Sequence, residues 1–394
     1  MKRASAAAAT AARSWRDSAS LILVTEGLRV LLLKRAAKSS FFANARVFPG
    51  GAFDPGVDAS ADWLPLFRAN GGRSFAAWHP GADGLAAQAA QFASARRAPI
   101  FESGAAASVA PLALLPEVAL RICALRETFE ECGLLLAADG DGNRVPHDTW
   151  ASGPELRLAE WQSAVKQDGR EFLRLFSSLG LCPDLHSLYE WSNWLTPSTL
   201  SSPRRFDTAF FLCCLPAAFQ VRLDLAEMSG EHDWLPPVEA IDRFHSEPAF
   251  SLSPPTLYEL AKLAGQADSL QSLEAFAKHR GRLGTELYFP VLGVGQRLAF
   301  TMHPGDCRYP ASPDFNSGRH VDLGGIGDDQ LMRDRPANRI VHAVNPDAER
   351  HVTPEGAVRP ALKSGPSAKF RLDCRGLRPL CGFRPPLVPP CARL

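Results

Sequence analysis

Arg126-Glu127-Thr128-Phe129-Glu130-Glu131-Cys132-Gly133-Leu134 is the stretch on which the reading of this chain turns. It closes a segment, Pro116 to Cys132, in which Val118, Ile122, Leu125 and Phe129 recur at helical spacing. Proline suits a first turn and Gly133 supplies a stop, so the pattern predicts a helix over 116–132. Residues three and four apart share a helix face, which lets Glu127, Glu130 and Glu131 converge on one point. Three carboxylates so placed repel one another unless water or a cation screens them. Mg²⁺ or Mn²⁺, which favour carboxylate and water oxygens, would do so and would also neutralise a diphosphate. Arg126 can orient one carboxylate by a charge-assisted bond. On spacing alone such a face is more often a solvated acidic surface.

Outward from this helix, Ser20 to Val24 and Leu28 to Leu33 read as two buried strands joined at Glu26-Gly27. Arg46-Val47-Phe48 leads into Pro49-Gly50-Gly51, whose glycines permit close backbone approach. From Pro55 to about Ala110 the chain is rich in Ala, Gly and Ser with weak periodicity, the pattern of an insertion or lid that is partly irregular. Downstream, one or two amphipathic helices are expected over Glu155 to Leu179, and strands over Leu188 to Leu195 and Phe206 to Leu215. A strand feeding a short helix comes next, around Trp234 to Phe244. Helices over Thr256 to Ala264 and Leu270 to His279 precede late strands over Leu287 to Leu292 and Arg297 to Met302. Strands mixed with helices, without a repeat, argue an α/β layered domain.

The nine-residue stretch resembles the second half of the Nudix box, Arg-Glu-U-x-Glu-Glu-x-Gly-U with U aliphatic; Thr128 departs from it by being polar. The first half, Gly-x₅-Glu-x₇, does not precede it in place. The positions expected to carry it are Leu112 and Val118, and Glu117 misses by one. Phe48-Pro49-Gly50-Gly51 resembles the loop that enters the box, with Asp58 close to where its first acid would fall. Gly51 stands 75 positions before Arg126 where the pattern has 14, which implies about 61 inserted residues. A box split by an insertion resembles the Nudix motif-19 type acyl-coenzyme A diphosphatases. Further resemblance to that branch lies in Ser60-Ala61-Asp62-Trp63-Leu64, Ile122-Cys123-Ala124, Trp194-Leu195-Thr196-Pro197 and Arg204 to Leu212.

The resemblance implies a Nudix fold of the α/β class: a mixed β-sheet sandwiched between helices, with a long insertion inside the box and extra C-terminal helices. The expected organisation is a disordered or targeting N-terminus over 1–17 and a Nudix hydrolase domain over 18–303, with its insertion at about 58–110. A C-terminal extension of the domain (304–355) and a basic, proline-rich, poorly ordered tail (356–394) complete it. Glu127 and Glu131 would be the principal metal ligands for Mg²⁺ or Mn²⁺, Glu130 would complete the catalytic set, and Arg126 would be structural. In such enzymes a metal-activated water attacks the pyrophosphate, and coenzyme A or acyl-coenzyme A is split into 3′,5′-ADP and (acyl-)4′-phosphopantetheine. Glu227, Glu231 and Glu239 are candidates for a general base. Arg35, Arg46, Arg204 and Arg205 are candidates for holding the 3′-phosphate, with Gly50 and Gly51 lining the substrate. Two alternatives stay open: a Nudix diphosphatase for another nucleotide such as NADH or ADP-ribose, and a non-catalytic Nudix binding module.

Composition sets the remaining bounds. The 394 residues are 46% hydrophobic, and 43 Lys plus Arg against 42 Asp plus Glu leave no broad affinity for nucleic acid, so any phosphate-binding surface is local. Apolar runs fall short of a bilayer span. Nine cysteines without a Cys-x-x-Cys pair suggest buried free thiols in a reducing compartment. His186, His232, His245 and His279 show no paired spacing for zinc. Ala392-Arg393-Leu394 resembles the Ser-Lys-Leu address that a peroxisomal import receptor reads. The acid-free stretch before Asp17 resembles a mitochondrial transit segment, so a peroxisomal location is expected with the mitochondrion as the alternative.

Overall fold

The computed structural model describes residues 15–39, 42–70, 98–102, 114–147, 157–197, 204–226, 228–281, 285–316, 320–343, 351–352, 358–359 and 370–373. β1 (Arg16–Thr25) and β2 (Arg29–Arg35) form the expected hairpin, turned at Gly27 with φ 70°. The first strand begins at Arg16, so Arg16 and Asp17 belong to the sheet and not to the terminal segment assigned to 1–17.

The two strands pair only beside their turn, at Val24↔Val30 and Thr25↔Arg29, and then part. The chain over 45–52 fills the fork between them. β3 (Ala45–Val47) pairs with β2, and β4 (Gly50–Ala52) pairs with β1. At the crossing, Gly50 has φ 154°, and a Cβ there would lie 2.4 Å from the Ala19 carbonyl oxygen and 2.6 Å from the Ser20 Cα. Only glycine lets the backbone press this closely against β1.

The insertion beyond β4 is more ordered where it is described than its composition suggests. α1 (Pro55–Asp58), α2 (Trp63–Asn70) and α3 (Pro99–Glu102) are helical. Trp63, Phe67, Ile100 and Phe101 are buried in the main core. The expectation of irregular structure over 71–97 and 103–110 falls outside the described residues.

α4 (Pro116–Cys132) has the expected bounds, with Gly133 left-handed at φ 74° and its N–H returned to the Phe129 carbonyl. A small sheet of β5 (Ala137–Ala138), β6 (Arg144–Val145) and β7 (Cys182–Pro183) flanks two helices, α5 (Leu158–Gln167) and α6 (Arg170–Leu179). β8 (Tyr189–Leu195), β9 (Phe206–Cys214) and β10 (Met228–Leu235) precede α7 (Pro237–Ser246) and β11 (Ser251–Leu252). α8 (Pro254–Leu263), α9 (Leu270–Arg280) and β12 (Leu287–Tyr288) come after them. The nine-stranded mixed sheet runs β11-β3-β2-β1-β9-β8-β12, with β10 on β2 and β4 on β1. Side-chain alternation divides its core. Leu21, Leu23, Leu31, Leu33 and Phe211 pack with α4, α2 and α6, whereas Ile22, Val24, Val30, Leu32 and Leu212 pack with α7, α8 and α9. Strands covered on both faces explain why these runs are apolar at every position.

A second sheet departs from the expected organisation. β13 (Val291–Val294), β14 (Leu298–Met302), β15 (Val321–Asp322), β16 (Arg339–Ala343) and β19 (Phe370–Asp373) form it in the order β15-β13-β14-β16-β19, with α10 (Asp328–Arg333) alongside. The boundary at 303/304 therefore cuts through one sheet, because β14 pairs with β16 across it. Nor is 356–394 only a tail, since β18 (Val358–Arg359) pairs with β17 (His351–Val352) and β19 with β16. Ala392, Arg393 and Leu394 lie outside the described residues, as do residues 1–14. Cys123, Cys132, Cys182, Cys213 and Cys214 are buried free thiols, and Cys307 is exposed. Among the described residues no helix is long and apolar enough to cross a membrane.

Gly50→Ala is expected to lower stability by about 1–3 kcal/mol through the clash with β1. The control is Gly325→Ala, where a Cβ meets nothing within 4 Å. Thermal unfolding of the two variants checks this, and equal midpoints would contradict it.

Candidate metal centre

α4 brings its acidic face to the fork between β1 and β2, and one guanidinium organises what it meets. Arg126 Nε and Nη2 donate to the two oxygens of Asp58 at 2.8 and 2.9 Å. Nη2 also donates to the Ala52 carbonyl at 3.1 Å, while Nη1 donates to Glu127 Oε1 at 2.9 Å and Glu130 Oε1 at 2.7 Å. All five N–H groups of the side chain are thus directed at protein oxygens. Asp58 is fully buried and accepts a further bond from its own α1 turn, at the Asp54 N–H. The insertion, the glycine loop and the box helix meet on this one residue.

The glycines complete the arrangement. Gly50 N–H donates to Glu131 Oε2 at 2.9 Å. A Cβ on Gly51 would stand 2.2 Å from Glu127 Oε2, so the loop lies flush against that carboxylate. Gly50 and Gly51, expected to line the substrate, are placed where they seat two of the three glutamates. Thr128, the departure from the aliphatic pattern, is fully buried and returns its hydroxyl to the Ala124 carbonyl one turn back, which satisfies it inside the core.

The far end of α4 is held by chain that the sequence pattern did not single out. Arg222 N–H and Asp224 N–H donate to the Cys132 and Glu131 carbonyls, each at 3.0 Å, and so cap carbonyls that a helix end leaves without partners. Gln162 on α5 donates at 2.9 Å to both the Glu130 and Arg222 carbonyls. Lys166, one turn further along α5, pairs with Asp224. No local signal marks these residues, because their relation to the box arises only when α5 and the loop after β9 pack on α4.

Three carboxylates, Asp58, Glu127 and Glu130, bond the single guanidinium of Arg126, and a fourth, Glu131, is held by the Gly50 N–H. Burial pushes Glu127 up to about 7; Arg126 pulls against this, and Glu130 and Asp58 add to it. Burial likewise raises Glu130, again against the pull of Arg126. Burial disfavours charge on Arg126 too, but the hydrogen bond and charge of Asp58 outweigh it and keep the guanidinium protonated. An oxygen-only donor set with more negative than positive charge is the chemistry that suits a hard divalent cation. In the present arrangement the carboxylates are turned to Arg126 and Gly50, and among the described residues no three acidic, histidine or cysteine side chains form a ready metal cage.

The arginines proposed for the 3′-phosphate are scattered. Arg46 is buried, bonded through Nε to Asp233 at 2.5 Å and stacked 4.0 Å over Phe250, on the sheet face opposite α4. Arg205 donates to the Thr196 and Phe315 carbonyls at 2.9 and 2.7 Å. Arg35 is half-buried and bonds Ser39 Oγ, and Arg204 is exposed. Of the candidate bases, Glu227 lies outside the described residues, Glu231 pairs with Lys34, and Glu239 is exposed on the first turn of α7.

The model of the NUDT19 Nudix domain matches residues 2–263 of this sequence. The chain belongs to the NUDT19 Nudix family. It is 36% identical over 336 residues to the acyl-coenzyme A diphosphatase NUDT19 of Gallus gallus, covering 79% of this chain and 84% of that one. To the Homo sapiens protein of the same name it is 38% identical over 321 residues, covering 76% and 82%. A solved NUDIX hydrolase from Alicyclobacillus acidocaldarius superposes with a TM-score of 0.47 at 26% identity, over 67% of this chain and 97% of that one. Membership of that family gives this chain the α/β Nudix fold expected from the split box, and the interruption between Gly51 and Arg126 is closed in space by the Asp58–Arg126 pair.

Asp58→Ala would leave a buried guanidinium without its main partner. It is expected to lower stability by about 3–5 kcal/mol. Chemical denaturation checks this, and a loss within about 1 kcal/mol, the range of an exposed pair, would refute the central role of this pair.

Proposed function

We propose that the protein hydrolyses the diphosphate of coenzyme A and acyl-coenzyme A to 3′,5′-ADP and (acyl-)4′-phosphopantetheine, using Mg²⁺ or Mn²⁺. The observation that carries this reading is the gathering of Glu127, Glu130 and Glu131 around Arg126 and Gly50 in a chain 36–38% identical to proteins named acyl-coenzyme A diphosphatase. Glu127 and Glu131 would hold the ion, with Glu130 completing the set. A bound divalent ion supplies charge neutralisation on the diphosphate and acidity to the attacking water. Water adds to one phosphorus, the anhydride P–O bond breaks, and the leaving phosphate takes the electron pair.

The protein's own contribution is positioning, which dominates phosphoryl transfer. Arg126 holds Glu127 and Glu130 side by side, the Gly50 N–H aims Glu131, and Asp58 keeps Arg126 in place. Gly51 leaves room for the Glu127 carboxylate that any side chain would displace.

Incubation of purified protein with coenzyme A, dephospho-coenzyme A, NADH and ADP-ribose at equal concentration, with Mg²⁺ or Mn²⁺ and product analysis, tests the reading. Coenzyme A is expected to be the best of the four, and chelation to abolish turnover. Dephospho-coenzyme A should lose on the order of ten- to a hundredfold in specificity constant, as a charge-assisted contact to the 3′-phosphate implies. Preference for NADH or ADP-ribose would overturn the substrate assignment. Glu131→Gln keeps the helix and removes a ligand charge, with a loss of ~10²-fold or more in turnover expected. Near-native turnover in that variant would remove Glu131 from the metal site.

A further inference from the structure

A diphosphate seated at Glu127, Glu130 and Glu131 has more charged oxygens than a divalent ion held there would meet, so a cation of the protein beside the site would bind those left over. Arg126 cannot, because all five of its donors are engaged and its side chain is only 7% exposed. Arg46 lies across the sheet and Arg205 is bonded to backbone carbonyls. Lys166 stands differently. Gln162 touches the Glu130 carbonyl, and Lys166 is one turn further along the same face of α5. Three positions beyond it Gly169 lies against the box helix, since a Cβ there would stand 3.3 Å from Arg126 Cδ, so Lys166 sits between two contacts with that helix, and its side chain is 30% exposed.

Resting on the proposed function, we infer that Lys166 is a substrate-binding residue whose ammonium contacts the diphosphate of a nucleotide seated against Glu127, Glu130 and Glu131, and that Asp224 holds it there. Asp224 is well suited to this. Its backbone N–H caps the Glu131 carbonyl and its carboxylate pairs with Lys166 Nζ, so the ammonium is tied to the same helix end as the metal ligands. An ammonium carries three donors and can serve a carboxylate and a phosphate oxygen together. A partly exposed ion pair is weak, and so yields readily to a dianionic ligand.

The alternative role is a latch that merely fastens the 222–224 loop to α5, and the two roles separate on paired variants. Lys166→Met removes both latch and anion contact; Asp224→Asn removes the latch and leaves the ammonium. Steady-state kinetics on the full chain with Mg²⁺ should show KM raised on the order of tenfold in Lys166→Met with kcat little changed. Lys166→Arg should recover most of that loss, and Asp224→Asn, which loosens the ammonium but keeps it, should raise KM by clearly less than Lys166→Met does. Calorimetric binding of magnesium pyrophosphate, a readout without turnover, should weaken by a similar factor in Lys166→Met and by less in Asp224→Asn. The inference is overturned if Lys166→Met and Asp224→Asn lower kcat and the thermal midpoint alike with KM unmoved, or if pyrophosphate binds both proteins equally. The diphosphate is common to coenzyme A, NADH and ADP-ribose, so the kinetics use whichever of these the wild-type protein cleaves. Failure on coenzyme A thus overturns the substrate reading alone, and an unmoved KM overturns the role of Lys166 alone.

Discussion

The buried pair between Arg126 and Asp58 is the interaction from which the rest of the site is built. A guanidinium taken out of water must have its donors satisfied, and here they reach oxygens from three parts of the chain: the insertion, the glycine loop and the box helix itself. Satisfaction of one cation thereby fixes three segments against one another. The two glutamates on its outer edge are oriented as a consequence, and their crowding is tolerable because Arg126 sits among them.

A second constraint is steric. β1 and β2 diverge from their turn, and the gap between them is filled by a strand that changes partner at Pro49-Gly50. Gly50 has no room for a side chain against β1, and Gly51 has none against Glu127. The split pairing and the bare glycine surface together admit the acidic face of α4 to within hydrogen-bonding distance of a backbone N–H. The interior of the sheet thus positions the acidic groups without contributing any itself.

The helix α8 is fastened to the first sheet by buried polar chemistry of another kind. Glu259 on α8 accepts from Trp191 Nε1, Ser192 Oγ and Trp194 Nε1 at 2.8, 2.8 and 2.7 Å, and pairs with Lys262. Burial lowers Lys262 to about 8 while Glu259 pulls it back up, so the carboxylate and the ammonium sustain one another inside the core. Trp194 stacks on Tyr288 at 4.9 Å, and Tyr258 bonds Asn338, beside the second sheet, at 2.9 Å. The extension meets this layer at the Tyr258–Asn338 bond and at the edge-on contact of Trp194 with His303, and has a separate apolar core around Phe300 and Val341.

Local physics made α4, the β1–β2 turn and the doubly apolar strands legible from the residues alone. Helical spacing from Pro116, a left-handed stop at Gly133 and uninterrupted apolar runs are short-range signals that need no partner to be read. The same range made the three glutamates visible as one face, and the split box identified the family. Only the tertiary structure decided the contacts at long range. Asp58 meets Arg126 across 68 positions and Gly50 meets Glu131 across 81, and nothing in either neighbourhood encodes the other. The arginines looked alike in sequence, yet packing directed Arg46 to Asp233 and Arg205 to backbone carbonyls, and it paired Lys166 with Asp224 at the end of the box helix. Short strands such as β15 and β19 have too few residues to show a period, so the second sheet emerges only when distant segments pair. Sequence by itself determines the structure that neighbours along the chain can specify, whereas charge partners and strand partners are chosen by where the folded backbone brings them.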